Sequence, residues 1–303
     1  MQELDLLILG AGWTSTFLIP LARHRALTFC ATTRDGHEVG GSATLKWTFD
    51  PDGDDSQFSS LPLARNVLIT FPLKGTGPSA RLVQGYEKAW EGKLAPSSFA
   101  GDKRKVHFVQ LGSTGIWQGG GPTLSSSPSS CWVTRKSSYD TSNARAEAED
   151  ELLSLGGCVL NLAGLWGGAR QPRDWVGRVA KTKEDVRGKR SLHLVHGLDV
   201  ARGLLAVVAR WEAAKGQRWM LTDGFVYDWW SLFVHWGSPK EASEDGKHGD
   251  VDPKPSDQAK WVYELMVEED VRALPRSMEA LGRCYDSREF WDTFGIAPVQ
   301  GGV

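Results

Sequence analysis

LDLLILGAGWTSTFLIPLARH, residues 4–24, carries the decisive pattern of this 303-residue chain. Leu4–Leu9 is apolar except at Asp5, as expected of a parallel strand covered on both faces. Gly10 and Gly12 follow at once, and from Thr14 to His24 the apolar Phe17, Leu18 and Leu21 recur at helical spacing. In a strand–turn–helix unit of this kind Gly10 permits the tight turn. Gly12 lets the backbone approach a pyrophosphate, which then rests on the free N–H groups and dipole of the helix that Trp13 and Thr14 lead into. Ser15 takes the third small position of the G-x-G-x-x-G pattern and is small enough for close helix–strand packing. The plain alternative is a structural turn, and the rest of the chain has to decide between the two.

Strand and helix patterns alternate outward from this unit. Residues 26–33, 64–72 and 105–112 read as strands, with a helix over about 78–92. A helix is expected from an N-cap at Ser142 to Gly156-Gly157, strands over 158–166 and 191–196, a helix over 199–213 capped by Asp199, and a strand over 218–224. Residues 118–130, QGGGPTLSSSPSS, are too polar and glycine-rich to bury much and read as a mobile loop. Residues 237–257 read as a polar loop, and 258–272 and 275–282 as helices. The alternation predicts an α/β fold with a doubly wound parallel sheet. The division expected is a dinucleotide-binding domain over 1–164 and 190–224, with a smaller capping lobe over 165–189 and 225–303.

Composition excludes several classes. The net charge of −2 gives no field for nucleic acid or an anionic membrane. Cys30, Cys131, Cys158 and Cys284 are scattered, which reads as free thiols in a reducing, cytoplasmic setting. The N-terminus lacks the basic residues of a secretory signal, and no run reaches the ~20 apolar residues that span a bilayer. His193 and His196 fall on a strand, pointing to opposite faces, so no metal is expected. KGTGP (74–78) lacks the P-loop lysine pattern, and no G-x-S-x-G elbow is present.

The second strand ends in Thr33-Arg34-Asp35. An acidic residue there binds the ribose 2′-hydroxyl of NAD, whereas Arg34 suits the 2′-phosphate of NADP through charge-assisted bonds. The sequence points to NADP, with NAD the alternative in which Asp35 is the ribose ligand and Arg34 a solvated turn residue.

Seven segments in order carry a resemblance over about residues 4–225: ILGAGWTSTFL, TTRDG, VLITFPLKGTGP, VQLGSTGIW, RAEAEDELL, NLAGLWGGARQP and LHLVHGLDVARGL. Together the chain resembles the extended short-chain dehydrogenase/reductase superfamily, in its atypical NAD(P)-binding, epimerase/dehydratase-like branch. The resemblance implies a Rossmann domain with a small lobe over it. It places Thr70, Phe71, Pro72 and Leu111 beside the cofactor, and Gly164 and Leu165 near the nicotinamide. It also implies a small-molecule substrate, and leaves a homodimer open.

In active members of that superfamily a Ser or Thr after the fifth strand binds the substrate oxygen. A Tyr moves the proton, and a Lys four residues later lowers the Tyr pKa from its free value near ~10. Ser113 matches the serine, with Thr114 beside it. Aligning on Glu149 puts Arg145 in the Lys position and Thr141 in the Tyr position, while Tyr139 stands two residues early. Three readings follow. Tyr139 swings in with Arg145 supplying the charge; Ser113 and Thr114 act with a proton from substrate or water; or the protein binds NADP without chemistry, as a sensor. Arg145 and Glu149 also read as a simple i, i+4 surface pair.

Trp117, Trp132, Trp166 and Trp175 are expected to line the substrate pocket, and an aromatic pocket suits a planar or apolar carbonyl compound. Phe225, Tyr227, Trp229, Trp230, Phe233 and Trp236 read first as the core of the small lobe or a dimer face.

Overall fold

The computed structural model describes residues 3–91, 106–118, 131–237 and 254–303. The loops expected over 118–130 and 237–257 lie, apart from their outermost residues, outside the described residues.

Seven strands form one parallel sheet: β1 (Leu4–Leu9), β2 (Phe29–Thr33), β3 (Leu45–Lys46), β4 (Ala64–Ile69), β5 (His107–Ser113), β6 (Cys158–Leu162) and β7 (Arg218–Leu221). Their order is β7-β6-β5-β4-β1-β2-β3, with every adjacent pair parallel. This is the doubly wound arrangement the alternation predicts. The order reverses between β1 and β4, and the glycine turn leaves β1 at that switch point.

Strand β1 shows why. Leu6 and Ile8 enter the apolar cluster on one face of the sheet, with α1 (Ser15–His24), and Leu7 and Leu9 enter the cluster on the other face. All four are buried, each contributing about 1.5–3 kcal/mol. Helices α2 (Pro78–Trp90) and α3 (Ala144–Ser154) cover the second face, and α4 (Gly197–Ala209) joins α1 on the first.

The expected strand over 158–166 breaks at Ala163. Gly164–Trp166 leaves the sheet and pairs in parallel with Leu194–His196. Gly164 allows this, because a Cβ there would stand 2.8 Å from Leu194 Cδ2 and 3.0 Å from the His193 carbonyl. Two caps also differ. Asn143, not Ser142, caps α3, its side chain accepting from the Arg145 amide, because Ser142 turns to Asp140. His196, not Asp199, caps α4 by accepting from the Leu198 amide.

In a third apolar cluster Trp229, Trp230 and Phe233 on α5 (Trp229–Gly237) pack with Val262 and Leu265 on α6 (Asp257–Glu268). Trp229, Trp230 and Phe233 are buried, whereas Phe225 is exposed. The chain end packs elsewhere. Phe290, Trp291 and Phe294 return to the core of the sheet, and Cys284-Tyr285 pairs with Trp132-Val133. Burial of three large aromatic rings against the sheet favours this return.

Candidate functional site

The turn after β1 is built for a close visitor. Gly10 has φ +80°, and a Cβ there would lie 2.7 Å from the Phe71 ring. Both conditions require glycine. Thr70 holds the turn from the next strand, its hydroxyl donating to the Gly10 carbonyl. No side chain caps α1, and no acidic residue sits in its first turn. Its N-terminal dipole is therefore unneutralised, which suits an anionic group.

Beside this turn lies a cleft of about 1000 Å³ bordered by Gly10–Gly12, Thr33–Asp35, His37, Trp47–Phe49 and Phe71–Lys74. Six residues expected to hold a cofactor meet there: Gly10, Gly12, Thr33, Arg34, Phe71 and Pro72. Thr33 also shapes the turn after β2, its hydroxyl accepting from the Gly36 amide at 2.9 Å. Sequence reasoning missed Lys74, His37 and the aromatic wall of Trp47, Phe49 and Phe71, whose rings stack or tilt at centroid distances of 6.1–6.5 Å. The Trp47-x-Phe49 spacing after a short edge strand was the only available signal. Arg34 and Lys74 are exposed, and neither forms an ion pair among the described residues. The cleft, the glycine turn and the free helix end fit a dinucleotide.

The other expected cofactor residues have different duties. Trp13 turns away from the cleft: its indole N–H donates to the Gly167 carbonyl at 3.2 Å, and Arg170 stacks over its ring. Thr14 and Ser15 are buried at the start of α1, and Leu111 is buried in β5. Gly164 and Leu165 lie in the short pairing with Leu194 and Val195. An aromatic ladder connects this pairing to the glycine turn, running Trp13, Phe17, His196, Trp166 with centroids 4.7–5.2 Å apart.

Around β5 the expected catalytic residues Ser113, Thr114 and Tyr139 have different partners. Ser113 ends β5, half-buried, its Oγ accepting from the Gly115 amide at 3.1 Å, and its O–H has no acceptor among the described residues. Thr114 is buried, with its hydroxyl donating to the Leu162 carbonyl at 3.3 Å. Tyr139 donates to Asp150 Oδ1 at 2.8 Å, and Arg218, not Arg145, is the cation over its ring, at 4.4 Å. Burial and the bond to Asp150 push the Tyr139 phenol above its usual range, the reverse of what a proton-shuttling tyrosine needs. The reading in which Tyr139 swings in beside Arg145 is therefore corrected: its phenol belongs to the core beneath Ser113, with Trp117 and Tyr285.

Glu149 is fully buried, so it is no surface partner of Arg145. It accepts from Asn161 Nδ2 at 2.8 Å and pairs with Arg218 at 3.3 Å, and Asn161 also donates to the Ser113 carbonyl at 3.0 Å. Burial raises the Glu149 carboxyl above the usual range, opposed by Asn161 and Arg218. Arg218 reaches Asp150 at 3.0 Å as well. This charged network fills the space behind Ser113.

The four tryptophans are not gathered over one point. Trp117 is buried, donating to the Ser137 carbonyl, and Trp132 is 47% exposed. Trp166 and Trp175 each pack against the third apolar cluster, with Trp175 3.6 Å from where a Gly164 Cβ would stand. His193 is buried, its Nε2 accepting from the Tyr285 amide at 3.0 Å, and burial lowers its pKa to about 3.

No family model matches the sequence and no curated protein matches it. Solved structures do match the fold. A putative NAD-dependent epimerase/dehydratase from Methylobacillus flagellatus is 15% identical, covering 98% of this chain and 94% of its own, with a TM-score of 0.56. A functionally unknown conserved protein from Silicibacter pomeroyi is 17% identical, covering 99% and 95%, at 0.59. UDP-glucose 4-epimerase from Thermotoga maritima is 14% identical, covering 98% and 94%, at 0.56. The chain has the Rossmann-type α/β fold of these epimerase and dehydratase structures. Among the described residues, no helix is long and apolar enough to cross a membrane.

Proposed function

We propose that this chain binds NADP(H) in the cleft at the β1–β4 switch point and acts as an oxidoreductase or epimerase on a small carbonyl compound held near Ser113. The observation that carries this reading is the lining of the cleft: a glycine turn and an open helix end beside two cations, Arg34 and Lys74, that form no ion pair among the described residues. A 2′-phosphate supplies the missing counter-charge, and a structural neighbour named as NAD-dependent supports the dinucleotide.

When bound, the nicotinamide supplies or accepts hydride. Ser113 offers an uncommitted hydroxyl to the substrate oxygen, and the Gly115 amide sets its rotamer. Trp166 and Trp175 form an apolar flank that suits a planar or apolar substrate, with residues 165–189 and 225–283 as the capping lobe. The free state of all four cysteines supports a reducing, cytoplasmic setting.

A second reading, a non-catalytic NADP sensor, is favoured by one observation: Tyr139 is committed to Asp150. Tryptophan-fluorescence titration with NADPH and NADH tests the cofactor. Arg34→Ala is expected to weaken NADPH about tenfold, or about 1.4 kcal/mol, with NADH unchanged. Equal losses would remove the 2′-phosphate role. A carbonyl panel followed by NADPH oxidation separates the readings, since tight binding without turnover favours the sensor.

A further inference from the structure

Asp35 stands where an acidic residue would bind an unphosphorylated ribose and repel a 2′-phosphate. In this structure it is engaged elsewhere. Its Oδ1 accepts from the His37 amide at 3.3 Å and lies 2.5 Å from His37 Nδ1, and both residues border the cofactor cleft with Arg34. The β2–β3 turn brings the pair together: Gly36 between them has φ +85°, its amide donates to Thr33 Oγ1, and Thr44 Oγ1 donates to the His37 carbonyl.

We infer that His37 is a cofactor-selecting residue: by clamping Asp35 and cancelling its charge, it admits the 2′-phosphate of NADP beside Arg34. This rests on the dinucleotide reading above and deepens it. Arg34 alone would face a neighbouring carboxylate that competes with the phosphate for its guanidinium. With His37 in place the turn presents Arg34 and a neutralised pair. The bond from His37 holds the Asp35 carboxyl down at about 2, so Asp35 stays ionised throughout the working range.

Among the described residues, few other charged groups surround His37. Arg34 and Glu38 share its loop, Lys46 on β3 packs against Gly36, and Lys74 lies across the cleft. Only a protonated imidazole cancels the Asp35 charge, so preference for NADPH over NADH should fall as pH rises. The phosphate's own second ionisation, near ~6, gives the opposite trend for NADPH. The pH effect is accordingly read as the difference between the native chain and His37→Gln at each pH, in which the phosphate term cancels.

The test is tryptophan-fluorescence titration of NADPH and NADH against the native full chain, His37→Gln, Asp35→Asn and the double variant, between pH 5.5 and 8. At pH 6, His37→Gln is expected to weaken NADPH about tenfold and NADH less than twofold. Asp35→Asn added to it is expected to restore NADPH binding, because the repelling charge is gone. The native preference should decline with pH, and that of both Asn-bearing variants should not. Unchanged NADPH affinity in His37→Gln would overturn the inference, as would a double variant no better than His37→Gln. Failure of the native chain to bind either dinucleotide would sink the cofactor reading itself. Both residues are largely exposed, so unfolding curves should coincide across the set.

Discussion

The glycine turn after β1 and the end of β5 are built on different principles. At the β1 turn, backbone shape dictates residue type. Gly10 needs a left-handed φ and the space that Phe71 leaves, so a pattern of glycines in the sequence reports the site directly. At the end of β5, side chains decide. Arg218, Glu149, Asn161, Asp150 and Tyr139 form one polar network behind Ser113, drawn from α3, β6, β7 and the segment before α3. Where the resemblance leads one to look for a tyrosine and a lysine poised for proton transfer, this chain has an Arg218–Asp150 ion pair that holds the tyrosine in place. A backbone site can be read from a motif, whereas a buried polar network can be rewired without leaving a local signature.

The largest expected effect strikes the second region. Arg218→Ala leaves Glu149 buried with its main counter-charge gone and should cost about 3–5 kcal/mol in urea unfolding. A loss under 1 kcal/mol would show that the network is not the structural anchor described. The matched blow to the first region is Gly10→Ala, expected to cost about 2–3 kcal/mol from the left-handed φ and the Phe71 contact, and to abolish dinucleotide binding. If binding survives it, the turn is not the pyrophosphate seat.

Between the regions, Ser113 and Tyr139 give the sharpest contrast. Ser113→Ala should lower turnover about a hundredfold, about 2.7 kcal/mol, with stability unchanged. Tyr139→Phe should do the reverse, costing about 1 kcal/mol of stability through the lost Asp150 bond while leaving turnover within twofold. A large fall in turnover for Tyr139→Phe would restore it as the proton donor.

Much of the fold was legible because it follows from short-range pattern. The apolar run before Gly10, the helical spacing to His24 and the alternation that follows specify a parallel doubly wound sheet, and Arg34 was in view at the end of β2. Less of the site was legible. Lys74 and the Trp47–Phe49–Phe71 wall come from two separate segments, and only sheet order brings them to one cleft. The cap of α4 was misassigned because His196 is an uncommon capping residue, so Asp199 was the better guess from propensity.

The sequence by itself determined the sheet, the glycine turn and the candidate serine, because each is a local demand of backbone geometry or of apolar periodicity. Only the tertiary structure decided where Tyr139 sends its proton, which cation Glu149 meets, and that His37 turns Asp35 aside. Tyr139 and Glu149 are settled by side chains from distant segments competing for the same few buried partners. His37 is settled by a turn whose shape the strands on either side impose.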